Sequence, residues 1–182
     1  MKEQGLSLVE IITVMGIVVV VGALLMVIIV NSAGLFTTQS SRLNQGLNIN
    51  DALSKIRQGV KEADSIDATS TDVKLVLKVP SVDSAGNSIA GTVDDFTFLL
   101  DQNKLRFTIT LNALSARKAQ NQIFSTSVDI LKFQYLNSSN PPTEVLPASA
   151  SKVRITLTLK QKTGAGSFET NTAASEANLR ND

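Results

Sequence analysis

The stretch MKEQGLSLVE, Met1 to Glu10, followed by IITVMGIVVVVGALLMVIIV, Ile11 to Val30, decides how this chain is read. Its last twenty residues carry no charge, and at about 1.5 Å per residue a helix of that length spans roughly 30 Å, the thickness of a bilayer's hydrocarbon core. Glu10 stands at the lip of this run. A carboxylate on a helix in hydrocarbon costs on the order of 2.5–3.5 kcal/mol at the bilayer centre and less near its edge, so an ionisable group kept there is a functional candidate by default. It calls for a counter-charge.

A secretory signal peptide has a basic leader and an apolar core of about 7–15 residues. This run is longer, and Lys2 in its leader is balanced by Glu3. With Lys2 at the short end, the N-terminus is expected on the cytoplasmic side of the inner membrane as a single-pass anchor, and the long C-terminal region outside it. An ordinary anchor, in which Gly5 and Glu10 play no special part, is the bland alternative.

The order of Gly5, hydrophobic Leu6, Glu10 and a long apolar helix resembles the prepilin signal of type IV pilins and type II secretion pseudopilins. The resemblance implies that prepilin peptidase cuts between Gly5 and Leu6 and that Leu6 is then N-methylated. Leu6 departs from the phenylalanine that is commonest there. The implied partners are prepilin peptidase, other pilins or pseudopilins, an inner-membrane assembly platform and the lipid bilayer, and the destination is a pilus or pseudopilus. A physical reason accompanies the likeness. Cleavage creates an α-amine that can lie beside the Glu10 carboxylate of a staggered neighbour, and removing one partner of such a buried pair strands the other at about 3–5 kcal/mol.

Composition narrows the chemistry. With no Cys there is no disulfide framework, thiol nucleophile or Cys-based metal site, and with no His the commonest general base and metal ligand are missing. Many major pilins close a C-terminal loop with a disulfide, so this chain departs from them. Seventeen basic and sixteen acidic residues are dispersed to a formal charge of +1, which gives no nucleic-acid surface. No enzyme activity, catalytic residue, cofactor or metal is expected.

Beyond Val30 the helix is expected to continue. Ile49, Leu53, Ile56 and Val60 recur at spacings of four, three and four with Asp51, Lys55, Arg57 and Lys61 between them, the pattern of an amphipathic helix with a core-facing stripe. No proline precedes Pro80, and Val27 lies in the region where many pilins carry one, so a single helix from about Leu6 to Ala63 is expected. Gly16, Gly22 and Gly34 are positions of close approach or local weakness.

After Ala63 the period becomes two. Strands are expected over Val73–Val79, Phe96–Leu100, Lys104–Leu111, Val128–Tyr135 and Val153–Leu159, with a last one between Phe168 and Leu179. Asp101-Gln-Asn-Lys104 reads as a hairpin, and Pro80 through Gly91 as turn-rich. The expected fold is α+β and pilin-like, a long N-terminal helix packed by its amphipathic half on one antiparallel sheet. Its parts are a leader (1–5), a membrane half (6–30), an amphipathic half (31–64) and an extracytoplasmic β-rich region (65–182). The order of strands, the Pro-containing loop and the terminal Leu179-Arg180-Asn181 resembles the larger minor pilins and pseudopilins, the J-type or W-type. That likeness implies a structural role in priming assembly or in a tip complex. The reading from another class is a membrane-anchored binding or adhesive domain that never polymerises.

Candidates for chemistry on the β-rich part are few. Asp94 and Asp95 point to opposite faces if they lie on a strand, which disfavours acid–base work, and they read as loop or edge charges. Asp94, Asp95 and Asp101 show no calcium-loop spacing. Ser115-Ala-Arg117-Lys118 reads as a solvated basic loop.

Overall fold

The computed structural model describes residues 8–162 and 168–180, with 33–48 and 162 described by backbone alone. One helix, α1 (Leu8–Glu62), runs without interruption from the apolar stretch into the amphipathic one. Nothing in its sequence stops it before Glu62. Beyond it Asp64 N–H donates to Lys78 O at 2.9 Å, turning the chain into the sheet.

Among the described residues eight strands follow: β1 (Ser65–Ile66), β2 (Lys74–Val82), β3 (Ser88–Asp101), β4 (Lys104–Thr110), β5 (Gln120–Ser125), β6 (Val128–Leu136), β7 (Lys152–Lys162) and β8 (Phe168–Asn178). They form two antiparallel sheets, β1-β2-β3-β4-β5 and β6-β7-β8, so the fold is α+β. The expectation of a single sheet is corrected here. The break falls at Ser125–Val128, where the chain leaves the β4–β5 ladder and Val128 N–H donates instead to Asn103 O in the β3–β4 turn. Alternation along a strand marks its faces and carries no information about which strand it pairs with.

The β3–β4 hairpin is as the sequence indicates. Asp101 pairs with Lys104, and Gln102 and Asn103 take φ of 46° and 65°, the left-handed pair that a two-residue hairpin turn requires. The turn-rich reading of Pro80–Gly91 was too broad. Strand β2 continues through Pro80 to Val82, and β3 begins at Ser88, leaving only Asp83–Asn87 as the turn. Pro80 lies beyond the two residues that pair β1 with β2, so its missing N–H faces an open edge, and the register shifts just after it.

The helix and both sheets share one core. Ile49, Leu53, Ile56 and Val60 are each at most 5 % exposed, as the helical spacing demands, while Asp51, Lys55, Arg57 and Lys61 are exposed. Leu75, Leu77, Phe96, Phe98 and Phe107 come from the first sheet and Phe133, Val153, Ile155 and Leu157 from the second. The Val153–Leu159 alternation is buried on one face throughout. Gly59 marks the closest approach of helix to sheet: a Cβ there would meet Phe98 Cε2 at 3.1 Å. The C-terminal segment seals the end of the bundle, with Leu179 N–H donating to Ser151 O and Arg180 N–H to Ala63 O.

Candidate functional site

From Leu8 to Ser32 helix α1 stands clear of the two-sheet core, with every residue exposed. This 25-residue segment has a mean hydropathy of 3.0 and no buried residue, and it is the one described helix long and apolar enough to cross a membrane. The same backbone is apolar on every side here and amphipathic after Ile49. A helix hydrophobic all round needs an apolar environment on every side, which its own domain does not supply.

Glu10 lies in the first turn of this described helix, exposed, with Leu8, Val9, Ile11 and Ile12 exposed around it. A carboxylate near a helix N-terminus is favoured by the partial positive charge of the unsatisfied N–H groups there. Three residues on, Thr13 returns its hydroxyl to Val9 O at 2.8 Å, so this polar side chain brings no unmet donor into the apolar surface. Gly16 and Gly22 face open space, each with room for a side chain. Gly5 and Leu6, the expected cleavage and methylation positions, lie outside the described residues.

The β-rich part holds one polar constellation that the sequence reading missed. Asp94 falls on the core face of β3, in the same alternation as Phe96 and Phe98, and is 0 % exposed, so its reading as a loop or edge charge is corrected. Its Oδ1 accepts from Ser81 Oγ at 3.0 Å and from Asn112 N–H at 2.9 Å, and its Oδ2 from Ser115 Oγ at 2.8 Å. Arg117 Nε stands 3.7 Å from Oδ2, and its guanidinium lies over the Phe96 ring at 5.2 Å from the centroid. The Ser115–Lys118 stretch is therefore no merely solvated loop: Ser115 and Arg117 are drawn in over the sheet. A buried carboxylate is tolerated when donors and a cation surround it, and these do. What the cluster does is clamp the β4–β5 connection onto the end of β2. The signal that would have exposed it is the alternation of Phe96 and Phe98 carried two residues back to Asp94, which the expected strand, starting at Phe96, left out.

The three aspartates considered together for a cation are not brought together. Asp95 is on the opposite face, 2.8 Å from Lys78 Nζ, and Asp101 accepts from Arg106 Nη2 at 2.9 Å. Lys78 also reaches Asp67 at 3.0 Å. Hydrogen bonds from the Thr69 hydroxyl and amide, then Lys78, hold the Asp67 carboxyl down at about 2. The Tyr135 hydroxyl, its pKa pushed up by burial, donates to Thr71 O at 2.6 Å and ties the second sheet to the approach of β2.

No family model matches the chain, and no curated protein matches it at a significant level.

Proposed function

We propose that this chain is a minor pilin or pseudopilin. It is inserted in the inner membrane by the apolar half of α1, cut after Gly5, methylated on Leu6, and incorporated by helix packing into a type IV pilus or a type II secretion pseudopilus. The observation that carries the reading is the continuity of α1: one helix presents a fully exposed apolar segment with Glu10 in its first turn, and the same helix forms the spine of a two-sheet domain. In a filament the apolar segment finds neighbouring helices where a monomer has only lipid. The Glu10 carboxylate then meets the α-amine of the adjacent Leu6, and removing either member of that pair would strand the other.

On this reading the work is assembly, with the β-domain as the outward-facing part and no reaction of its own. Prepilin peptidase, sister pilins or pseudopilins and the inner-membrane assembly platform are its partners. The test is intact-mass analysis of protein from membranes of cells that carry a prepilin peptidase. A mature chain starting at Leu6, one methyl group heavier than the unmodified peptide mass, supports the proposal. An uncut chain that stays in the membrane favours an anchored binding or adhesive domain instead.

A further inference from the structure

We infer that copies of this chain standing side by side join their sheets edge to edge, β8 of one copy taking β5 of the next as an antiparallel neighbour. The inference rests on the copies sharing one membrane, as in the proposed function, and needs neither cleavage after Gly5 nor the pairing of Glu10.

A sheet edge presents unpaired N–H and C=O groups, and folded proteins shorten, bulge or cover such edges. Among the described residues three of the four edges are treated in this way. Strand β1 has two residues. Strand β6 is covered, since Phe133 N–H donates to Asp72 O and Val145 N–H to Tyr135 O. Strand β5 has six residues, with a register shift beside Leu105. Strand β8 is the exception: eleven residues in unbroken register with β7, without proline or lysine. Leu179 N–H donates to Ser151 O, and by alternation Ala177, Ser175, Ala173 and Asn171 turn their main-chain groups toward β7. Those of Glu176, Ala174, Thr172 and Thr170 therefore point off the sheet, and among the described residues no main-chain bond meets them.

Direction selects the occupant. Arg180 N–H reaches Ala63 O, so β8 ends where α1 ends and runs with it. Strand β5 runs the other way: Gln120 shares a cleft with Gln58 and Glu62, and Ile123, farther along the strand, shares one with Asp51 and Ala52. Two upright copies thus bring β8 and β5 together antiparallel. Pairing β8 antiparallel with a second β8 would turn one copy upside down and point its apolar segment away from the shared membrane. With β1 too short and β6 covered, β5 is the described strand of this chain that fits.

The side chains agree with that pairing. Asn121, held by Arg106 Nη1 at 3.0 Å, and Ile123 are exposed on the face of β5 away from the core, as Thr172 and Ala174 are on β8. Setting Thr172 across from Ile123 and Ala174 across from Asn121 continues both faces of the sheet, and the small side chains of β8 cover Ile123, which is 46 % exposed. Strand β5 carries no charge, so Glu169 and Glu176 meet no like charge. A joint of six residues is weak between free molecules; anchoring in one membrane raises the effective concentration at which it forms. Each copy brings one β8 and one β5, so the contact repeats along a row of copies unless a rotation closes it.

The chain has no cysteine, so engineered pairs report cleanly. Full-length Thr172→Cys and Ile123→Cys variants, differently tagged and co-expressed, are oxidised in membranes. A mixed dimer is expected at about tenfold the yield of a control pairing Thr172→Cys with Ser138→Cys on the exposed β6–β7 loop, the gain that a few cross-strand pairs give. Ala174→Pro on the Thr172→Cys copy should return the yield to the control level while circular dichroism stays that of its parent, because the lost N–H points off the sheet. Thr170→Lys, which sets a charge on the edge and leaves the backbone alone, should do the same. A yield no higher than the control, one indifferent to both substitutions, or a Thr172→Cys dimer with itself as abundant as the mixed one overturns the inference. Cleavage before Leu6, read by mass on the same samples, reports the processing separately, so the two can fail independently.

Discussion

Arg117 stands over the Phe96 ring, its Cζ 5.2 Å from the centroid, while its Nε is 3.7 Å from Asp94 Oδ2, so one guanidinium is shared between an aromatic face and a fully buried carboxylate. Asp94→Ala is expected to leave Ser81 Oγ, Asn112 N–H and Ser115 Oγ without their acceptor, at about 1–3 kcal/mol for each donor that water cannot reach. Asp94→Asn, which keeps an acceptor oxygen, should cost less. Chemical denaturation of the two variants checks the order; equal stabilities would mean that the clamp is replaced by water.

Ile56 is fully buried one residue from exposed Arg57. Ile56→Ala should destabilise the domain by about 2–5 kcal/mol through lost burial and the cavity left behind. Arg57→Ala should stay within about 0.5 kcal/mol. Thermal melts followed by circular dichroism distinguish these, and comparable losses at both positions would contradict the placement of the helix.

The acid side of stability is expected to depend on Asp67. Its carboxyl is at about 2 in the fold against an ordinary 3.8, so the stabilisation is fully present above 3.8 and is lost as pH falls through about 2. Thr69→Ala removes the donor with the largest effect and should weaken the fall in melting temperature across that window. Melts at pH 6 and pH 2.5 in detergent measure it. An unchanged difference between the two pH values would show that Asp67 is not responsible.

Glu10→Val should leave membrane insertion intact, and the neutral helix should sit more easily in lipid by up to about 3 kcal/mol. Incorporation beside a sister pilin should fall, because the neighbouring amine loses its counter-charge. Crosslinking through cysteines placed in the apolar segment reads this. Equal recovery from wild type and variant would return Glu10 to the status of an incidental residue on an anchor.

Much of this fold was legible because its periods are clean. The four-three-four spacing of Ile49, Leu53, Ile56 and Val60, the alternation from Val153 to Leu159 and the two-residue turn at Gln102 and Asn103 each express a local rule. Pairing is nonlocal. Nothing in the residues near Ser125 says that the chain there leaves one sheet for another, and strand β5, Gln-Asn-Gln followed by only Ile123 and Phe124 before Ser125, has no alternation to announce it. The face of Asp94 follows from the alternation of Phe96 and Phe98, but the donors that make its burial tolerable, Ser81, Asn112 and Ser115, lie far off in sequence. Glu10 and Gly5 needed no pairing to be noticed, since a break in composition is visible in one dimension.

The continuity of α1 also has a mechanical side. At about 80 Å long and with no proline, the helix is one continuous strut from its apolar end to the core. Tension applied at its apolar end would not bend at a joint; it would pass axially to Ile49 and Val60 and on to Ala63, whose carbonyl is held by Arg180 N–H. Extracting such a strut from its cradle slides many buried side chains at once rather than peeling them one by one. The domain would therefore travel with its apolar segment when that end is pulled, as one piece under load.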